Sequence, residues 1–384
     1  MVKSRIISKK QSKKQRPSAS TPKRQEETLE QAMARAHALI ARQEWKQAVA
    51  VLEGVLPRDT EGEARELLGV VECEQGEVEK GREQLLQLLT LHPTRTSPTP
   101  HLYLAQTAPT PRDALASYEA ALTILQRRLE ALQRGEVSTE EETEEEVKKE
   151  CVMVFVAMVE IWMSDLCFEP DAPAQCNALI SRALELSPHD PDALLTLASI
   201  RMSESRPAEA KDIVVAVADR VIRIAEHLEA KEEAEVDGAA APVVDVERDL
   251  ELPPIQTRSL LARLLLEHEE YTRALRMVET IRGEDDEDVE GCYLEGWGWY
   301  CRAKAMEEAE AAGGKGAVEE GSLTVDECHV EALSALLECQ SLHAQQDHPD
   351  EGILAHVNEL VAELEGKGVR VEMEDEDGDD VDMQ

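Results

Sequence analysis

Small residues recur twelve positions apart along this chain, and each pair is followed four residues later by a large apolar one. Ala36 and Ala48 precede Leu52. Gly69 and Gly81 precede Leu85, then Leu88 and Pro93. Ala198 and Ala210 precede Val214 and Val217, and Ala262 and Ala274 precede Val278 and Ile281. Two helices approach closely only where both carry a small side chain. A spacing of twelve puts one such residue on each arm of a helical hairpin. The large residue one turn later fills the space against the next hairpin, so a chain of this kind must stack its units. Composition agrees. Hydrophobic residues make up 42% but aromatics only 3%, so the core is built from Leu and Ala, good helix formers, with Val as a packer.

This is the pattern of the tetratricopeptide repeat, with small residues at positions 8 and 20 and proline near 32. Further copies are degraded but legible. Ala105, Ala114, Tyr118 and Ala121 fit with a shortened turn. Cys176, Ile180, Ala183 and Pro188 read as a second helix, whose first helix is the apolar run ending at Phe168. Leu294, Trp297, Gly298 and Cys301 read as another first helix, partnered after an insertion by Ala332, Leu336 and Cys339. The expectation is an all-α, right-handed superhelix of about seven such hairpins over residues 27–366. Residues 352–364 (GILAHVNELVAEL) form a C-terminal capping helix. Insertions interrupt it near 134–149, 232–254 and 309–322. The first is strongly acidic and is either disordered or an extension of the preceding helix. The GGKG of the third lacks the spacing of a phosphate-binding loop and reads as a flexible linker.

Charge narrows the partners. The chain has 80 acidic and 41 basic side chains, a net −39. Such a field rejects nucleic acid and anionic membranes and attracts basic partners. Residues 1–26 are expected to be a disordered basic arm whose first 24 residues carry nine cations and no acid. Residues 367–384, with the run EMEDEDGDDVD, are expected to be a disordered acidic tail. No window approaches eighteen uncharged apolar residues, and no apolar segment follows the basic start, so neither a membrane span nor a secretory leader is expected. The eight cysteines form no CxxC pair and read as reduced, buried thiols. The ten histidines are scattered, and neither HExxH nor GxSxG occurs. No enzyme, metal or cofactor is expected.

In stacked hairpins of this type the first helices line the concave side, through positions 2, 5, 9, 12 and 13. Repeat phase then places Glu63, Glu66, Val70, Cys73 and Glu74 there from the second copy. The fourth gives Met158, Ile161, Asp165 and Phe168, and the fifth Asp192, Leu195 and Ser199. The sixth gives Gln256, Ser259, Arg263, Leu266 and Glu267, and the seventh Glu295 and Trp299. The expected partner-binding residues are Glu63, Glu66, Glu74, Asp165, Asp192, Glu267, Glu295 and Trp299. An acidic groove with aromatic spots suits an extended basic peptide. The same glutamates also suit a merely solvated face, and Phe168 and Trp162 suit core packing. A clamp for the C-terminal carboxylate of heat-shock chaperones is disfavoured, because it needs basic and Asn side chains where this chain is acidic.

The basic arm MVKSRIISKKQSKKQRPSAS resembles that of a known family. So do the repeats LLGVVECEQGEVEKGREQLLQLLTLHP and CNALISRALELSPHDPDALLTLASIRMSESRPAEA, the motif YLEGWGWYCRAKAM and the acidic tail. The family is that of the dedicated fungal assembly chaperones of the fourth protein of the large ribosomal subunit, and the resemblance covers most of residues 28–366. It implies binding of one newly made basic large-subunit ribosomal protein, 1:1, mainly through its long internal loop. It also implies an escort from cytoplasm to nucleus, with an import receptor as a further partner, and no direct contact with nucleic acid or membrane. A general acidic repeat scaffold for histones or a multiprotein assembly is the alternative.

Overall fold

A computed structural model of the chain describes residues 27–136, 143–237, 251–312 and 323–371. The basic arm, most of the acidic tail and residues 137–142, 238–250 and 313–322 of the three insertions lie outside those residues. Among the described residues there are fifteen α-helices and no strand. None of these helices is long and apolar enough to cross a membrane.

The chain divides into two units, Met1–Pro109 and Thr110–Gln384. In the first, α1 (Leu29–Ile40) and α2 (Trp45–Val55) form one hairpin and α3 (Glu63–Glu74) and α4 (Val78–Leu91) the next, with α5 (Thr99–Gln106) packed on α3 and α4. The second contains α6 (Pro111–Gln133), α7 (Glu144–Met163), α8 (Ala172–Leu186), α9 (Pro191–Ser203) and α10 (Pro207–Asp237). It continues with α11 (Ile255–Glu267), α12 (Tyr271–Arg282), α13 (Val289–Ala311), α14 (Val325–Gln346) and α15 (Glu351–Gly366). Here α7–α8, α9–α10, α11–α12 and α13–α14 are hairpins, α6 lies along α7, and α15 closes the unit against α14.

The twelve-residue spacing is realised as expected. Ala36, Ala48, Ala198, Ala210, Ala262 and Ala274 are all fully or almost fully buried, as are Leu52, Leu85, Val214 and Val278. At Gly81 an added Cβ would lie 2.6 Å from the Gly69 carbonyl oxygen, so the two backbones cross there with no room for a side chain. Each regular hairpin turns through one left-handed residue, seven positions after its first small residue: Gln43, Gly76, Ser205 and Glu269. The residue after it donates its N–H five positions back, as in Glu44 to Leu39 and Glu270 to Leu265, closing the helix end.

Helix starts are written locally as well. Thr28 with Gln31, Thr143 with Glu146 and Thr324 with Glu327 form reciprocal capping boxes. The Thr143 box revises the reading of the 134–149 insertion. Residues 144–149 begin α7, with Glu144, Glu145 and Glu146 in its first turn, where the helix dipole favours carboxylates. The flanks of the other insertions are ordered too: α10 reaches Asp237 and α13 reaches Ala311. Arg258, 1% exposed, donates to the carbonyls of Pro253 (2.8 Å) and Thr280 (2.6 Å) and pairs with Glu284, fastening the returning chain to α12. Past the last helix, Val369 and Val371 pack on the core of α13–α15.

A candidate partner-binding face

The first helices of the hairpins carry most of the residues that repeat phase selects. Their carboxylates fall into two groups. Glu63, at the start of α3, and Glu267, at the end of α11, are exposed and have no side-chain partner among the described residues. The others are engaged within the fold. Glu66 is half-buried, pairs with Arg95 and accepts from the Ser97 hydroxyl at 2.6 Å. Glu74 accepts from the Tyr103 hydroxyl at 2.6 Å. Burial, and then that bond to Glu74, push the Tyr103 phenol well above its ordinary range. Asp192 accepts from the Thr257 hydroxyl at 2.8 Å, joining α9 to α11. Its charge adds to the burial that raises the carboxyl pKa of Glu160 on α7.

Four of the positions expected from repeat phase are corrected. Asp165 and Phe168 do not sit on a first helix. α7 ends at Met163, and both residues lie in the exposed connection to α8, with Phe168 98% exposed. Counting back twelve from Cys176 assumes a short turn. The chain instead uses residues 164–171, where Asp165, Glu169 and Asp171 leave no apolar stripe and Pro170 disfavours helix before it.

Glu295 and Trp299 lie on the wrong side of α13. Glu295 faces Arg282 of α12 (3.3 Å), which also holds Glu338 of α14 (2.7 Å). Burial raises the Glu295 pKa despite that cation. Trp299 packs on the α13–α15 core with Arg302 5.3 Å over its ring. The cause is a register shift of two. An added Cβ at Gly296 would meet Leu336 at 2.7 Å and the Ala332 carbonyl at 3.2 Å, so Gly296 holds the small-residue position at the crossing with α14. Gly298 instead faces Leu275 and Leu266 of the preceding hairpin.

The corrected register brings Glu290, Tyr293, Trp297 and Tyr300 to the first-helix face. Glu290 pairs with Arg263 of α11. Tyr293 stacks on Trp297 (5.8 Å between centroids, 18° between planes), and its hydroxyl lies 2.8 Å from His356 Nδ1 of α15. Tyr300 donates to Glu363 at 2.8 Å. The first-helix face of α13 thus carries Glu290, Tyr293, Trp297 and Tyr300 in place of Glu295 and Trp299. The signal for them was the second glycine, Gly296.

No family model matches the chain. A Schizosaccharomyces pombe protein named "Probable assembly chaperone of rpl4" is 29% identical over 312 residues, covering 80% of this chain and 82% of that protein. An Emericella nidulans protein of the same name is 28% identical over 316 residues, 79% and 71% respectively. Both names describe a chaperone and not an enzyme. The solved structure of "Assembly Chaperone of RpL4 (Acl4) (Residues 1-338)" superposes with a TM-score of 0.57 at 24% identity. That match takes in 74% of this chain and 99% of the other, and it supports the fold. The chain is thus an all-helical tetratricopeptide-repeat protein that resembles the fungal assembly chaperones of rpl4 along 80% of its length.

Proposed function

We propose that this chain is a dedicated chaperone for one newly made basic protein of the large ribosomal subunit, the counterpart of the rpl4 in its relatives' names. It binds that client 1:1 through the client's internal loop, shields it from premature contact with RNA, and escorts it from cytoplasm to nucleus for assembly of the large subunit. An import receptor would read the basic arm. The observation that carries this reading is the similarity along 80% of the chain to proteins so named. The physical logic supports it. A loop rich in Lys and Arg needs counter-charge before RNA provides it, and a chain at −39 with exposed Glu63 and Glu267 offers carboxylates without competing for the RNA. The test is to capture partners of the purified protein from a total fungal extract. One large-subunit ribosomal protein at equal stoichiometry is the expected result. A spread of histones or subunits of another complex would overturn the proposal in favour of a general acidic scaffold.

A further inference from the structure

Aromatic residues are scarce here, four Trp, five Tyr and two Phe, yet four of these eleven stand between Tyr293 and Tyr300. Tyr293 and Trp297 pack against the cores on both sides of α13, that of α9–α12 and that of α13–α15. Tyr293 and Trp297 are only half-buried. Their stack is held by His356, which meets both rings edge-on at 5.8 and 6.0 Å and hydrogen-bonds the Tyr293 hydroxyl.

Other rings of the protein are covered by its own cations, two of them in this cluster and two on α7. Arg182 lies over Phe155, Arg112 over Trp162, Arg302 over Trp299 and Lys367 over Tyr300, at 4.6 to 5.9 Å. Among the described residues the Tyr293–Trp297 pair carries no such cation. Arg263, close enough to act on the Tyr293 hydroxyl, is paired with Glu290. The surroundings are acidic. Asp350 acts on the same hydroxyl and Glu267 ends the adjacent α11, whereas Glu290 is paired with Arg263 and Glu363 with Tyr300 and Lys367.

We infer that the Tyr293–Trp297 pair is a seat for an arginine side chain of a basic protein partner, its guanidinium lying on the part of the rings left accessible and the strongly acidic chain supplying the counter-charge. The chemistry selects arginine. Guanidinium is planar, weakly hydrated and stacks on indole, whereas an ammonium keeps its water. This rests on the proposed function and narrows it: the client segment is recognised by arginine at this point and not by positive charge alone.

The test uses two synthetic peptides matched in length and charge, one carrying Arg and the other Lys, titrated into the full-length protein. Wild type should bind the Arg peptide tighter, by on the order of three- to tenfold. Trp297→Leu should abolish that preference while Trp299→Leu, on the other side of α13, keeps it. Trp297→Phe should restore part of it. Equal binding of the two peptides by wild type, or no binding of either, overturns the seat even if no variant folds. So does an undiminished preference in a folded Trp297→Leu protein. Because the readout is a peptide ratio, it is independent of whether a ribosomal protein is the partner captured from extract.

Discussion

Carboxylates at equivalent repeat positions do different things here, and substitution separates them. Glu63 and Glu267 are exposed and unpaired among the described residues, so reversing both to Lys should weaken client binding yet change stability by no more than about 0.5 kcal/mol each. Glu66 and Asp192 are ties. Glu66→Ala leaves Arg95, whose side chain is 17% exposed, with the Glu61 carbonyl but no counter-charge, and Asp192→Ala removes the acceptor of Thr257. Each should cost about 1–3 kcal/mol in a denaturant titration, and lost binding would follow from lost structure. Glu295 adds a pH dependence. Its folded pKa is raised by burial, so its ionised form costs stability at neutral pH, a cost relieved as pH falls through the raised folded pKa towards the unfolded value. Glu295→Gln should therefore melt with a smaller gain on acidification than wild type. An unchanged pH profile would mean that the carboxylate is solvated.

At the scale of elements, the hairpin turn is the part that repeats most faithfully. Gln43, Gly76, Ser205 and Glu269 share one left-handed conformation, but only one of the four is glycine. A side chain there costs about 1 kcal/mol, so Ser205→Gly and Glu269→Gly should each raise stability by about 0.5–1 kcal/mol, read as a higher denaturation midpoint at constant slope. Gly81→Ala should do the reverse, because its new methyl meets the Gly69 carbonyl and backbone cannot step aside. These elements were legible in the sequence because a short turn makes twelve residues a reliable ruler. The ruler failed where the turn lengthens. Residues 164–171 displaced Asp165 and Phe168 from a helix, and the insertion after α13 left Gly296 and Gly298 as two registers that differ by two positions. On a helix two positions is about 200°, enough to exchange the face that meets α12 and α14 for the first-helix face. Tertiary contact with Ala332 and Leu336 settles what spacing could not. The engaged state of Glu66, Glu74 and Asp192 was equally illegible, since Arg95, Tyr103 and Thr257 lie 29, 29 and 65 residues away.

Over the whole molecule the net charge of −39 acts on folding and on binding with opposite signs. Like charges repel in the compact state, where they are closer together than in the unfolded chain, so the field opposes folding. The ion pairs that offset it are mostly solvent-exposed and screened, so each contributes little. Toward a basic partner the same field is attractive, and it acts first on the rate of encounter. Screening weakens both effects once the Debye length falls from about 10 Å at 0.1 M salt to about 3 Å at 1 M. Raising salt across that range should therefore raise the melting temperature of the free protein while lowering its affinity for the client, with most of the early loss in the association rate. Thermal melts and stopped-flow binding on the same salt series test both arms. A melting temperature that falls with salt would mean that the ion pairs outweigh the self-repulsion. An affinity indifferent to salt would mean that the client is held by apolar contact, and the acidic face would then have no part in its recognition.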